Sequence, residues 1–145
     1  MRLGGVSLAA IRMLVADTNI IAYLYLENEF TPLAERLLEK DPHWCAPVLW
    51  RSELRNVLAL YVRKKLLTVD DAVAIQTYAE SLLVGNEYHL DSLSVLQLAS
   101  ASGQAAYDCE FIALAERLQV PLVTTDKKLL KAFPANAIPL SSAVA

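Results

Sequence analysis

Four acidic residues stand where acids are not needed for solubility. Asp17 directly follows the apolar run Met13 to Ala16, and Asp126 closes the run LVTTD. A carboxylate after a buried strand and before a helix lies where α/β sheets present ligands, at the carboxyl ends of the strands. Glu53 and Asp108 fall inside helical patterns instead. At about 100° per residue, Leu49, Val57 and Leu60 lie within about 40° of Glu53. Arg51 and Arg55 point the other way, and no Lys or Arg stands three or four positions from Glu53. Asp108 shares its face with Phe111, Ile112 and Ala115, which leaves Glu110 and Arg117 on the solvated side. Singly, each acid has an ordinary explanation. Asp17 or Thr18, Asp108 and Asp126 could be helix N-caps, and Glu53 a helix-edge residue reaching water. Taken together they read as one cluster, since an unpaired carboxylate on an apolar stripe is costly to bury. Four carboxylates within about 5 Å repel by about 3 kcal/mol per neighbouring pair at an effective dielectric of 20. Divalent cations relieve that repulsion, and hard oxygen ligands select Mg²⁺ or Mn²⁺ over metals of softer sites.

Other chemistries find less support. His43 and His89 are too isolated in sequence for a zinc site, and neither Cys45 nor Cys109 has the setting of a nucleophile. With 4 glycines there is no Gly-rich phosphate loop. The two cysteines make neither a C-x-x-C nor a disulfide framework, which suits a reducing cytosol.

The elements that must position the acids alternate between strand and helix. Met13–Ala16 is a strand, and a helix follows from Ile20 to Leu26. Thr31 caps a helix to Lys40, with Pro32 at its first position. Trp44–Ala46 is a short strand, and Pro47 opens a long helix to about Leu66. Thr68 caps a helix to about Leu83, with Asp70 and Asp71 in its first turn. Tyr88–Leu90 is a strand, and Asp91 caps a helix through about Ala101. A helix from about Ala105 or Asp108 to Leu118, a strand Val120–Thr124, a short helix Lys127–Phe133 and a strand Ala137–Leu140 complete the chain. This order implies a parallel sheet covered on both faces.

The 145 residues suit one domain. Their 55% hydrophobic content is high for a soluble chain and predicts a large core or an extra buried interface. No apolar run is clean enough to span a membrane, and no cleavage signal follows the N-terminal one. Residues 1–12, ahead of the first core strand, read as a leader, added or loosely ordered, before a domain over 13–141. The net charge of −3 argues against indiscriminate polyanion binding while allowing a local basic rim.

DTN at 17–19, Glu53 in RSELRN, YDCEFIALA around Asp108 and VTTD ending at Asp126 together resemble the PIN-domain nucleases, and more narrowly the VapC-type toxins of toxin–antitoxin pairs. The resemblance runs from about Met13 to Leu140. It implies a PIN-like three-layer α/β/α sandwich with a central, mostly parallel sheet. It also implies a Mg²⁺- or Mn²⁺-dependent endoribonuclease with Asp17, Glu53, Asp108 and Asp126 around the metal, in a cytoplasmic protein. Asn19 and Thr125 match the polar positions that support the acids. One or two cations, about 3.5–4 Å apart if two, then polarise a phosphodiester and activate water. Arg51, Arg55, Lys127 and Lys128 are candidates for gripping the RNA backbone. The implied partners are an RNA substrate, a VapB-like antitoxin and a second copy in a homodimer. Ile20–Leu26 and Leu58–Val62 carry more apolar residues than one buried face needs, which fits such interfaces. Among rivals, a HAD-type phosphohydrolase would need D-x-D, whereas Asn19 fills the second position. A phospho-acceptor receiver domain lacks its paired N-terminal acids here. A non-catalytic PIN-like binding module keeps the same motifs and is separated from a nuclease by Asp108-dependent metal binding.

Overall fold

The computed structural model describes residues 13–145 and, ahead of them, two short strands, β1 (Arg2–Leu3) and β2 (Val6–Ser7), which pair antiparallel. Apart from those strands, the expected leader over residues 1–12 lies outside the described residues. Then follow β3 (Met13–Ala16), α1 (Thr18–Tyr25), α2 (Thr31–Lys40), β4 (His43–Pro47) and α3 (Trp50–Arg63). The middle of the chain forms α4 (Val69–Leu82), β5 (Glu87–Tyr88) and α5 (Ser92–Ser102). The last third forms α6 (Ala106–Leu118), β6 (Leu122–Thr124), α7 (Lys127–Ala132), β7 (Ala137–Pro139) and α8 (Leu140–Ala143).

Strands β5-β4-β3-β6-β7 form one parallel sheet in that spatial order. Leu14, Val15 and Ala16 are buried, as are Trp44–Pro47 and Leu122–Thr124. Such uninterrupted apolar runs are what a sheet covered on both faces requires. Helix α1 packs against β3 and β6, and α6 packs against β3, β4 and β6, giving the α/β/α sandwich. The first core strand is central: β4 pairs on one side of it, and the later β6 on the other. That reversal of direction makes the carboxyl end of β3 a topological switch point, where open α/β sheets form a crevice.

Local signals explain most boundaries. Thr68 and Asp71 form a reciprocal capping box at the start of α4, and Asp91 caps α5 by accepting the Ser94 N–H. Helix α5 stops at Gly103 with φ of +73°, a left-handed turn that glycine adopts without strain. Four expectations need correction. Pro47 ends β4 rather than opening a helix, because its ring lacks an N–H and its neighbour Ala46 N–H bonds to Asn86 O instead. Helix α3 therefore starts at Trp50. Strand β5 occupies Glu87–Tyr88, earlier than Tyr88–Leu90. The chain also adds a short α8 after β7 where only a strand was expected. Finally, Thr31 lies inside α2; its hydroxyl donates to the Tyr23 carbonyl and accepts the Asn28 N–H, pinning the α1–α2 connection.

Helix α3 buries Trp50, Leu54 and Leu58, a stripe four residues apart that is rotated from the expected Leu49–Val57–Leu60 face. Leu60 is 41% exposed. On its far side α3 is clamped by charge. Arg51 makes a two-pronged contact with Glu87 at 2.6 and 2.7 Å and a 3.1 Å contact with Glu80, and Trp50 Nε1 donates to Glu87 at 2.8 Å. Among the described residues no helix is long and apolar enough to cross a membrane.

Leu54 anchors α3 directly beside Glu53 and is fully buried. Leu54→Ala is expected to destabilise the fold by about 2–5 kcal/mol through the cavity it leaves. A lowered urea midpoint at unchanged slope is the check.

Candidate active site

A cavity of about 420 Å³ opens beside the switch point, lined by Asp17, Thr18, Asn19, Leu49, Ser52, Glu53, Asn56, Val57, Tyr107, Asp108 and Asp126. All four acids singled out by the sequence thus border one space. Four segments deliver them: Asp17 from the β3–α1 junction, Glu53 from α3, Asp108 from the first turn of α6, and Asp126 from the β6–α7 junction.

Asp17 occupies the N-cap position of α1 yet makes no side-chain cap bond. It instead accepts the Thr124 hydroxyl at 2.6 Å across the β3–β6 pair. The register makes this contact natural: Ala16 pairs with Val123, and the Asp17 N–H continues the ladder to the Val123 carbonyl. Burial pushes the Asp17 carboxyl up; the Thr124 hydroxyl and the Thr18 N–H pull it back, and Asp108 and Asp126 push it further up. Glu53 accepts the Thr18 hydroxyl at 2.6 Å. Burial raises Glu53 most, Thr18 opposes, and Asp17, Asp108 and Glu110 add to the rise. Asp108 is also raised, by burial and then by Asp126, with Lys128 acting in the opposite sense. It is not the cap of α6; that position belongs to Ala105, with Asp108 three residues inside.

Asp126 does cap its helix, accepting the Lys128 N–H at 2.8 Å, and still borders the cavity. The cap explanation and the site explanation are compatible there. Glu110, assigned from sequence to the solvated side, is half-buried, close enough to Glu53 to raise it and itself raised by burial.

The two expected supporting residues differ in placement. Asn19 lines the cavity and is exposed. Thr125 turns away and shares a 2.8 Å hydrogen bond with the Tyr23 hydroxyl. The threonines that hold the acids are Thr18 and Thr124, each one residue from the expected position. Ser52, Asn56 and Tyr107 also line the cavity and escaped the sequence reading; helical spacing from Glu53 identifies Asn56 and Val57, and adjacency to Asp108 identifies Tyr107. Of the four cations proposed for RNA, Arg51 is committed to Glu87 and Glu80, and Arg55 stands 4.0 Å from Glu80, both on the far side of α3. Lys127 and Lys128 are exposed at the start of α7, with Lys128 near enough to act on Asp108.

The lining offers hard oxygen donors and neither His nor Cys. Such a set suits a hard divalent cation rather than a soft-ligand metal. In the geometry described, no group of three or more His, Cys, Asp or Glu residues among the described residues is positioned to hold one ion. Asp17, Glu53 and Asp126 each accept a hydrogen bond from a local donor. The donor chemistry fits a cation; ligation requires these side chains to turn inward.

A parallel α/β sandwich with a carboxylate-lined cavity at the switch point defines the class of protein. The PIN domain profile matches residues 14–134, and the chain belongs to the PIN domain family. It is 30% identical over 139 residues to Ribonuclease VapC3 of Pyrobaculum aerophilum, covering 87% of this chain and 98% of that protein, and is of the VapC type. In structure it resembles FitAcB from Neisseria gonorrhoeae, with a TM-score of 0.69 and 19% identity over 89% of this chain and 99% of that one. It also resembles a toxin–antitoxin complex from Klebsiella pneumoniae, with a TM-score of 0.63 and 16% identity over 88% and 97% of the two chains.

The raised acids fix a pH dependence. A carboxyl whose folded-state value lies above its unfolded value binds protons more readily in the folded protein. Its stabilising contribution is therefore complete below the unfolded value, 3.8 for Asp17, and is lost as pH rises through the folded value. Asp17→Asn is expected to raise the neutral-pH melting temperature by a few degrees in chelator, and to converge with the parent under acid conditions. Melting curves across pH are the check. Thr124→Val, which strips the buried Asp17 oxygen of its donor, is expected to cost about 1–3 kcal/mol at neutral pH, read by the same melts.

Proposed function

We propose that this chain is a divalent-metal-dependent endoribonuclease, the toxin of a type II toxin–antitoxin pair, working in the cytoplasm. The observation that carries the reading is the convergence of Asp17, Glu53, Asp108 and Asp126 on one cavity, with three of them raised by burial and by their fellow acids. Its likeness to a protein named as a ribonuclease over nearly the full length of both supports the choice of RNA.

Asp17, Asp108 and Asp126, with Glu53, would hold Mg²⁺ or Mn²⁺. When bound, the cation supplies charge neutralisation at the scissile phosphate and a more acidic water. The chain's own residues do the rest. The Thr124 hydroxyl holds Asp17 by one oxygen, and the Thr18 hydroxyl holds Glu53 beside it. In the cation-free chain Glu53 and Asp108 are raised by burial and by neighbouring acids, so a bound cation would relieve the repulsion that raises them. Lys127 and Lys128, exposed in the first turn of α7 after Asp126, attract the phosphate backbone. The likeness to a toxin–antitoxin complex supports an antitoxin partner. An apolar groove of about 570 Å³ between α3 and α4, lined by Leu58, Ala59, Val62, Val69, Ala72 and Val73, offers a surface for the antitoxin or for a second copy in a homodimer. We take the functional domain to be residues 13–141, a span that includes the 14–134 matched by the family profile.

Asp108→Asn is expected to abolish Mn²⁺ binding in calorimetry, and Asp17→Asn to slow RNA cleavage roughly a thousandfold or more, while both remain folded. The second variant is the sharper test, because it is also expected to be the more stable protein. Parent-like cleavage by it would end the assignment. A folded parent that binds no Mn²⁺, with or without RNA, would favour the non-catalytic module.

A further inference from the structure

The cavity is not uniformly acidic. Asp17 and Asp126 lie at the carboxyl ends of β3 and β6, whereas Leu49 at the N-cap of α3, Val57 on α3 and Tyr107 on α6 supply apolar and aromatic surface. Leu49 and Val57 are half-buried, but Tyr107 is 65% exposed although it adjoins a carboxylate that is half withdrawn from water. Its neighbours do not use it: neither hydrogen bond nor ring contact engages Tyr107 among the described residues, and the core takes Cys109, Phe111 and Ile112 from the same helix. An aromatic side chain carries a large apolar area with a polar tip, and leaving it in water forgoes that burial. Exposure on this scale at the mouth of a reactive cavity points to a ligand with a flat apolar face. Ser52 and Asn56, also exposed on the cavity lining, have polar atoms that no described residue engages. A nucleobase matches this combination: a π-face for the ring, and donors and acceptors on its edge for a hydroxyl and an amide. A protein segment would instead want a continuous apolar surface, and polar and charged residues surround the ring here.

We propose that Tyr107 is a stacking platform for one base beside the scissile phosphate, in a cavity whose lining also includes the apolar Leu49 and Val57. This rests on the ribonuclease reading and narrows it. A base held in this way must be out of its duplex, so the substrate is single-stranded RNA or an RNA loop. Tyr107 governs where the strand sits; the acids govern whether it is cut.

The test uses the full chain with Ca²⁺, a hard cation that neutralises the carboxylates, and a labelled mixed-sequence RNA 12-mer, single-stranded or annealed to its complement. Dissociation constants come from fluorescence anisotropy for the parent, Tyr107→Phe and Tyr107→Leu. Base–aromatic stacking predicts that the leucine variant loses about tenfold or more in single-strand affinity. The phenylalanine variant, which keeps the ring, binds as the parent does, and the duplex binds more weakly than the single strand. Equal single-strand binding by the leucine variant overturns the stacking role while leaving the ribonuclease reading intact. Equal binding of the duplex by the parent overturns the single-strand preference. A parent that binds neither RNA overturns the ribonuclease reading, and the stacking role falls with it. The surface position of Tyr107 makes both variants compatible with the fold, and matched melting temperatures verify it.

Discussion

The constraint on which the rest of the structure depends is the confinement of four like charges at the edge of one sheet. Three of the four sit in surroundings that favour the neutral acid, because water has been withdrawn and neighbouring carboxylates are close. Left to itself, such an arrangement would relax by moving elements apart. What prevents it is the apolar packing behind each acid. Val15 and Ala16 lie behind Asp17, Leu54 beside Glu53, Ile112 one turn from Asp108, and Val123 and Leu129 on either side of Asp126, all essentially inaccessible to water. Two threonine hydroxyls then offset part of the cost locally. The hydrophobic core supplies a repulsive site that side-chain interactions alone would not sustain, a familiar division of labour in proteins that trade stability for function.

The placement of the cations completes this logic. Arg51, two residues from Glu53, would face the cavity if α3 were rotated. It is instead drawn to the other side by Glu87 and Glu80, and Trp50 donates to the same Glu87 carboxylate. That clamp ties α3 to β5 and α4, so the helix faces Glu53 toward α1 and keeps its basic residues off the acids. Among the described residues, Lys128 is the cation felt at Asp108. The chain is thus electrostatically sorted: the Arg51 and Arg55 ion pairs lie on the far side of α3, and Lys128 acts on the acids from the start of α7.

Much of this was legible in the sequence because it rests on local pattern. The apolar run ending in Asp17, the run ending in Asp126 and the helix caps at Thr68 and Asp91 are short-range signals, and they read correctly. So did the parallel sheet, which follows from alternation of strand and helix. What failed needed knowledge of neighbours in space. The face of α3 was misjudged because Leu49, Val57 and Leu60 look like a core stripe. Trp50, Leu54 and Leu58 form an equally regular stripe, and only the position of α4 and β5 decides between them. Arg51 and Arg55 look free in sequence because their acidic partners lie 25 or more residues away, at Glu80 and Glu87.

The threonines show the same limit at its finest scale. In VTTD both threonines are polar, adjacent and close to the acid, so sequence offers no ground for choosing. The choice is made by sheet register. Because Ala16 pairs with Val123, the next step places Asp17 level with Thr124, and a strand that alternates its side chains sends Thr125 to the opposite side, where Tyr23 waits. A slip of one residue between β3 and β6 would take Thr124 away from Asp17 and set Val123 or Thr125 in its place. The register is held by the ladder bonds from Val15 N–H to Pro121 O and from Asp17 N–H to Val123 O, between strands whose Val15, Ala16, Leu122 and Val123 are buried. The hydroxyl that steadies the candidate catalytic aspartate is therefore selected by the pairing of two buried strands, and chemistry at the cavity inherits its geometry from the core.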